Sequence, residues 1–458
     1  MRSFSAQQKM WWALVALGVA FAPIPIDYAG VMVALPTIQK SLFLTHNEMH
    51  WVMNAYLLSL TCLIVLAGKL GNYFSPRNLF LSGVILFSVT SVGCAVSQDA
   101  TMLLISRFLQ GIAGAMIVSM QGLLLLQIFP ANLLGRANGF RVMIACSFMT
   151  LSPVLGGFFS EYLSWRYLFW LNLPVTALGF YMGWRLFPNK KPILQSATID
   201  FLGFILSTIV LVTLTVGVMQ SIDWGWLSTR TVTMFAIAAV CLLIFFRIEK
   251  KQTDPFIDLN ILRQTNFRTV TFLVLFIRII SATGIFMSIF FQLAWHFSPF
   301  AAGLMMLSSV FGVVLMGPLA GTLIDYFGPR TVLTGSAVLT VVGVTGFVLT
   351  AMFHLVYLTP VFMFINAAGV SSIVSNSAIL SLTYVSEAQR PIASGVSSFV
   401  RQFGTLLGMT IMSTVISHMT LHHAYSAAFL SAMCVSILAS LFVLFFATHL
   451  SKGAIHID

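Results

Sequence analysis

Apolar runs of about twenty residues, the length a helix needs to cross a hydrocarbon core roughly 30 Å thick, recur from one end of this chain to the other. Composition agrees with what that recurrence implies. Of 458 residues 59% are apolar and only 8% charged, and mean hydropathy is +0.97. Soluble domains carry about 25% charged residues, so this chain lacks the polar surface to coat a particle in water. The expectation is an all-α integral membrane protein that crosses the lipid bilayer many times.

The net charge of +11 does not point to nucleic acid. The basic residues form no stripe or cluster; they fall in the short polar breaks between apolar runs, where orientation signals sit. The five cysteines (Cys62, Cys94, Cys146, Cys241, Cys434) lie inside apolar runs without a CxxC pair and read as small core residues. His418, His422 and His423 have metal-like spacing, but no acid or thiol lies near, so no metal site is expected. The start MRSFSAQQKMWW resembles a signal peptide, yet the apolar run after it is too long, and an uncleaved first helix is expected.

Fourteen spans fit the pattern, from 11–36 to 424–449. An even number puts both termini on one side. If that side is the cytoplasm, the inner breaks hold 16 of the 23 Lys and Arg and the outer breaks three (Lys40, Arg166, Arg230). That is a strong positive-inside bias. A repeat then organises the spans. Residues 66–77 read LAGKLGNYFSPR and 319–330 read LAGTLIDYFGPR, identical at eight of twelve positions, each leaving an even-numbered span for an inner break. Equal orientation is the sign of parallel repeats about an axis normal to the membrane. The architecture expected is two six-helix bundles, 1–187 and 268–458, with two extra helices and a cytoplasmic connector over 188–267.

At these residues the sequence resembles the major facilitator superfamily, in its fourteen-helix drug:proton antiporter branch. GKLGNYFSPR is similar to the family's loop after its second helix, LLISRFLQGIAGA (103–115) to its fourth-helix motif and SPVLGGFF (152–159) to its fifth-helix antiporter motif. DYAGVMVALP resembles the first-helix motif, and SWRYLFWLNLP (164–174) the approach to the sixth helix. The pattern is not complete. Asn72 and Tyr73 stand where the loop motif has Asp and Arg, although the second copy keeps Asp325, and Phe148 and Ser152 replace two usual glycines. The resemblance implies the major facilitator fold, a charge latch in the inner loops and export rather than import. It also implies conformational roles for Gly68, Arg77, Pro153, Gly156, Gly157, Gly321, Asp325 and Arg330.

Ionisable groups deep in a span cost about 2.5–3.5 kcal/mol on insertion scales, so each needs a partner or a task. Asp27 lies in PIPIDYAGVMVALP (23–36), within an otherwise uncharged run from Trp11 to Pro36. At 1.5 Å per residue it sits roughly 24 Å along a helix that starts inside, and Arg107 roughly 9 Å down one that starts outside. The two therefore share a depth, and by resemblance the first and fourth helices both line a central cavity. Asp27 and Arg107 are the candidate proton-coupling pair; the competing role for Asp27 is to cap a helix restarted after Pro23 and Pro25. Arg278 and Arg401 are also deep, and three deep arginines against one acid favour neutral or anionic cargo. Trp51, Asn54, Tyr56, Gln110 and Asn366 are polar or aromatic groups at plausible cavity depth, each more readily read as packing or helix–helix glue than as a cargo contact. Arg141 lies near an inner end, from which its head can reach the interface.

No GxxxxGK[ST] phosphate loop occurs, so ATP is not the expected energy source. No cofactor is expected, and a proton gradient supplies the drive. One isolated aspartate does not make an enzyme site. The expected function is a proton-coupled antiporter in the cytoplasmic (inner) membrane, with both termini cytoplasmic, exporting small amphipathic molecules by alternating access. A dedicated exporter of an anionic metabolite such as a siderophore is the alternative, and a non-transporting membrane sensor is the rival class. Whether a periplasmic adaptor takes part is not legible in the chain.

Overall fold

In the computed structural model, residues 6–71, 73–130, 133–189, 201–249, 259–385, 390–420 and 425–450 are described. A backbone in hydrocarbon finds no water for its N–H and C=O groups, and an α-helix satisfies them within one segment. The chain accordingly runs as α1 (Ala6–Phe21), α2 (Pro23–Leu42), α3 (His46–Leu70), α4 (Pro76–Ala95), α5 (Ala100–Ile128), α6 (Leu134–Tyr162) and α7 (Arg166–Leu186). Then come α8 (Phe201–Trp224), α9 (Thr229–Glu249), α10 (Thr265–Leu293), α11 (Pro299–Phe327), α12 (Pro329–Met352), α13 (Thr359–Thr383), α14 (Arg390–Thr420) and α15 (Tyr425–Thr448). Helices α1 and α2 make one span, Gln7–Leu42, interrupted only at Ala22. Among the described residues the fifteen helices thus form fourteen rods, the number expected. Among the described residues, eleven spans are long and apolar enough to cross a bilayer on length and composition alone.

Helix ends follow local chemistry. Thr45 and Glu48 form a reciprocal capping box at the start of α3, with the Thr45 N–H donating to Glu48 Oε2 at 2.8 Å and the Glu48 N–H to Thr45 Oγ1 at 3.2 Å. Asp99 caps α5 by accepting the Met102 N–H at 2.8 Å. Both repeat copies end one helix and open the next on a proline, Pro76 and Pro329, which tolerate the first turn because its N–H has no intrahelical partner. The first copy ends α3 at Leu70 and opens α4 at Pro76. The second turns on the single residue Gly328, at φ 77°.

The chain divides into two compact units. The first comprises Met1–Ile199 with Ser298–Leu304, the second Asp200–Phe297 with Met305–Asp458. In the first unit α5 packs on α3 and α4, α4 on α7, and α2 on α6. Small residues let these rods approach without water between them. A Cβ on Gly156 of α6 would lie 2.4 Å from the Gly30 carbonyl of α2, so this crossing needs a glycine at 156. The short segment Ser298–Leu304 joins this unit at the end of α6. There the Glu161 carboxylate accepts the Phe300 N–H at 2.9 Å and a hydrogen bond from Ser298. These donors hold Glu161 below the usual carboxylate range.

In the second unit α10 packs on α14 and α15, α12 on α13 and α15, and α8 on α9 and α14. Leu273, Ile277, Leu333, Ala337, Ile373 and Val443 form its core. Phe276 stacks on Phe442 with ring centroids 4.9 Å apart. Outward faces in both units are apolar, with Val89, Leu243, Leu315 and Phe445 exposed where lipid would lie. Cys434 is on such a face and Cys241 is half-buried, while Cys62 and Cys94 are buried, so the core reading holds for two of the four described. His422 and His423, and the side chain of His418, fall outside the described residues.

The glycines give a paired test. A Cβ at Gly156 must push α2 and α6 apart, whereas one at Gly68 meets nothing within 4 Å. Gly156→Ala is expected to destabilise the purified protein by about 1–3 kcal/mol, the usual cost of overpacking, and Gly68→Ala not at all. Thermal unfolding in detergent compares them, and equal melting temperatures would contradict the crossing.

A buried ion pair as the candidate functional site

Pro23 and Pro25 lack backbone N–H groups and sit where the first span breaks and restarts at Ala22. Ala22 occupies the N-cap of α2 with no side-chain cap. Asp27 lies a full turn inside the helix, so its carboxylate is not spent on capping. It meets Arg107, whose Nη1 donates to Asp27 Oδ2. Both side chains are 0% exposed.

The rest of the guanidinium is held as well. Its Nε donates to the Val52 carbonyl of α3 at 2.9 Å, Nη1 also donates to Gln110 Oε1 at 2.8 Å, and Nη2 approaches Met53 Sδ at 3.6 Å. The guanidinium carbon lies 4.6 Å from the Tyr56 ring centroid, a cation–π distance. Tyr56 is clamped in turn: its carbonyl would lie 2.2 Å from a Cβ on Gly111, so that glycine lets α5 close on α3. A second shell of neutral groups surrounds the pair. Gln110 Nε2 donates to Ser91 Oγ at 3.0 Å, Asn172 Nδ2 to the same oxygen at 3.3 Å, and Cys94 Sγ to Gln110 Oε1 at 3.7 Å. On the α6 side the Ser152 hydroxyl donates to the Ile26 carbonyl.

Two full charges in a dry interior cost several kcal/mol each in lost hydration, recovered only by good geometry and further hydrogen bonds. Arg107 has those bonds, whereas Asp27 Oδ1 accepts none. The arrangement therefore makes the acid the more easily neutralised partner. Protonating Asp27 would leave the arginine with Val52, Gln110 and Tyr56 still in place.

The structure thus brings together Asp27, Arg107, Gln110 and Tyr56. The Asn54 Nδ2 donates to the His50 carbonyl on its own helix at 3.1 Å. Asn366 donates to the Thr340 carbonyl at 3.4 Å and ties α13 to α12. Trp51 is half-buried. Arg278 and Arg401 belong to the second unit, half-buried on the packed pair α10 and α14, where Gly404 faces the Arg278 Cβ. Arg141 does not simply reach for the interface; its Nη1 donates to Gln121 Oε1 of α5.

Among the motif residues, Gly156 makes the α2–α6 crossing, and a Cβ on Gly157 would lie 2.5 Å from the Pro299 carbonyl. The Pro153 carbonyl would lie 2.5 Å from a Cβ on Gly303. Gly68 and Gly321 have open space around them, and Arg77 donates to the Trp184 carbonyl at the end of α7. Arg330 is half-buried in the first turn of α12. Asn72 and the Asp325 side chain fall outside the described residues, and with them the proposed charge latch. Ser91, Cys94, Ser152 and Asn172 were missed by the sequence reading. The signal for Asn172 was its place in SWRYLFWLNLP; Ser91 had none.

The fold is that of a membrane transporter, and the chain belongs to the major facilitator superfamily, whose model matches residues 17–246 and 269–455. It is 31% identical to a protein of Pectobacterium atrosepticum over 87% of this chain and 86% of that one. A second relative, from Pectobacterium carotovorum subsp. carotovorum, is 30% identical over 90% and 87%. Both carry the name "Putative multidrug resistance protein MdtD". Among solved structures, a POT family transporter in complex with a thioalcohol conjugated peptide superposes with a TM-score of 0.71 at 15% identity, covering 96% of each chain. That likeness concerns the fold. The family also makes the chain a transporter and not an enzyme.

Removing one partner of a buried pair leaves an uncompensated charge, which typically costs about 3–5 kcal/mol. Arg107→Leu is therefore expected to lower the melting temperature in detergent sharply, and adding Asp27→Leu to it to restore much of the loss. A double variant less stable than Arg107→Leu alone would contradict the pairing.

Proposed function

We propose that the chain is a proton-coupled antiporter that exports small amphipathic molecules across the cytoplasmic membrane by alternating access. The observation that carries this reading is the fully buried Asp27–Arg107 pair, in which the guanidinium keeps neutral partners and the acid keeps a free oxygen. An intramembrane acid defaults to function, commonly as a proton site. The multidrug resistance named for its relatives supports efflux as the direction and breadth of cargo.

In the proposed cycle, cargo enters from the cytoplasm while Asp27 is ionised and held by Arg107. Release outside is followed by protonation of Asp27. Neutralising the acid removes the charge–charge contact between Asp27 and Arg107 and so weakens the arrangement that the ionised pair favours. Return to the inner side discharges the proton into the more alkaline cytoplasm, and the pair re-forms. Each step needs only a carboxyl that gains and loses one proton and an arginine that never does. By the same reading both termini are cytoplasmic, and protons and small-molecule cargo are the partners.

Asp27→Asn keeps the shape and the hydrogen bonding to Arg107 but cannot carry a proton. In inverted membrane vesicles energised by a proton gradient, this variant is expected to lose accumulation of a lipophilic dye at least about tenfold, equivalent to 1.4 kcal/mol of lost coupling. Accumulation at the wild-type rate by a folded, well-inserted variant would refute the proposal.

A further inference from the structure

Asn172 has no part in the proton cycle above, yet it is fully buried beside the acid that does. Its amide lies next to the Asp27 carboxylate without a hydrogen bond to it as placed. As placed, its Nδ2 donates to Ser91 Oγ of α4 at 3.3 Å, the oxygen that also accepts Gln110 Nε2 at 3.0 Å. Its Oδ1 is buried and meets no donor among the described residues, and Asp27 Oδ1 is in the same condition. Buried acceptors without a donor are rare in native proteins. Here two of them share one dry cluster.

A single proton removes both defects. Placed on Asp27 Oδ1, it forms an O–H that donates to Asn172 Oδ1, while Asn172 Nδ2 keeps its bond to Ser91. When that proton leaves to solvent, a half-turn of the amide offers Nδ2 to the carboxylate and Oδ1 to the Ser91 hydroxyl, which has one hydrogen to give. Ser91 Oγ can still accept from Gln110. In both protonation states Asp27 Oδ1 and Asn172 Oδ1 then have a partner, and the two states differ by one side-chain rotation.

Resting on the reading of Asp27 as the proton site, we infer that Asn172 is a positioning residue that follows the protonation state of Asp27 by turning its amide, with Ser91 as its anchor. The titratable groups facing Asp27 are Arg107 from α5, Tyr56 from α3 and Cys94 from α4. The neighbouring α6 and α7 contribute Ser152 and Asn172, neither of which ionises, and the described charge of α1, Lys9, is exposed at the far end of that helix. Asn172 is therefore the neutral group placed to respond when the acid changes charge.

The sign of the effect follows from bond strengths. A hydrogen bond donated to an ionised carboxylate is roughly twice as strong as one between neutral groups. Losing both therefore penalises the ionised form more, and the acid should hold its proton to higher pH. Wild type, Asn172→Leu and Ser91→Ala, each reconstituted in proteoliposomes, are compared by the rate of exchange of a lipophilic cationic dye as a function of pH. Asn172→Leu is expected to move the midpoint of the profile toward alkaline pH by about half to one unit, and Ser91→Ala to move it less in the same direction. Loosening of the bundle alone would lower the rate at every pH without moving the midpoint. Midpoints that coincide with wild type, or that move toward acid, overturn the inference; if Asn172→Leu does not fold, Ser91→Ala decides. Asp27→Asn separates the two readings. Wild-type pH dependence in that variant would sink the proton site itself, whereas its loss beside an unshifted Asn172→Leu sinks only the role of Asn172.

Discussion

Hydrocarbon offers no partner to a backbone N–H, a hydroxyl or a charge, and every level of this structure answers that constraint. The backbone answers with helices. Hydroxyls inside the helices answer by donating back to carbonyls one turn earlier, as Thr61 does to Leu57 at 2.6 Å and Ser119 to Ala115 at 2.7 Å. Such back-bonds cost little and let small polar residues line helix contacts without a second chain to satisfy them. Charges have no such local remedy. Arg107 needs acceptors from α2, α3 and its own helix, which explains why this arginine, and not a serine or threonine, organises the centre of the first unit.

The energetics of that centre are asymmetric in a useful way. A buried pair is poor evidence of added stability, because lost hydration can outweigh attraction. It does set a threshold for change. Removing the charge from Asp27 by protonation leaves a neutral acid and an arginine still bound to Val52 and Gln110 and stacked on Tyr56. Removing the charge from Arg107 is chemically out of reach. The pair can therefore switch through the acid alone, which is what a group exchanging protons across a barrier requires.

Bilayer thickness sets helix length, so the rods were legible in the chain, and the repeat was legible because both copies must turn out of one helix and start another on proline. Asp27 and Arg107 could be set at equal depth from residue counts alone. Counting residues gives depth but not the direction a side chain faces. Arg141 was placed near an inner end, yet its azimuth turns it to Gln121. Asn54 and Asn366 sat at cavity depth, yet both bond backbone carbonyls. Ser152 looked like a lapse from a glycine pattern, and its hydroxyl instead secures the Ile26 carbonyl beside the acid. Neutral polar residues such as Ser91 are common in bundles, so nothing in the sequence distinguished it from ordinary glue.

The two units share a repeat but not a chemistry. The contact between α12 and α13 is held by neutral groups, with Ser336 bonding Ser372 at 2.7 Å and Asn366 bonding Thr340, and Asn376 bonds the Ala320 carbonyl of α11 at 3.2 Å. The interior of the first unit carries a full ion pair between α2 and α5 with amides and a thiol around it. Neutral contacts of this kind do not change with the proton gradient; an acid does. On the proposed reading, energy therefore enters through the first unit, and the second is free to vary its polar and cationic groups to suit cargo. Such a division lets one coupling device serve many substrates, since a change of specificity in one bundle need not disturb the balance of hydrogen bonds around Asp27 in the other.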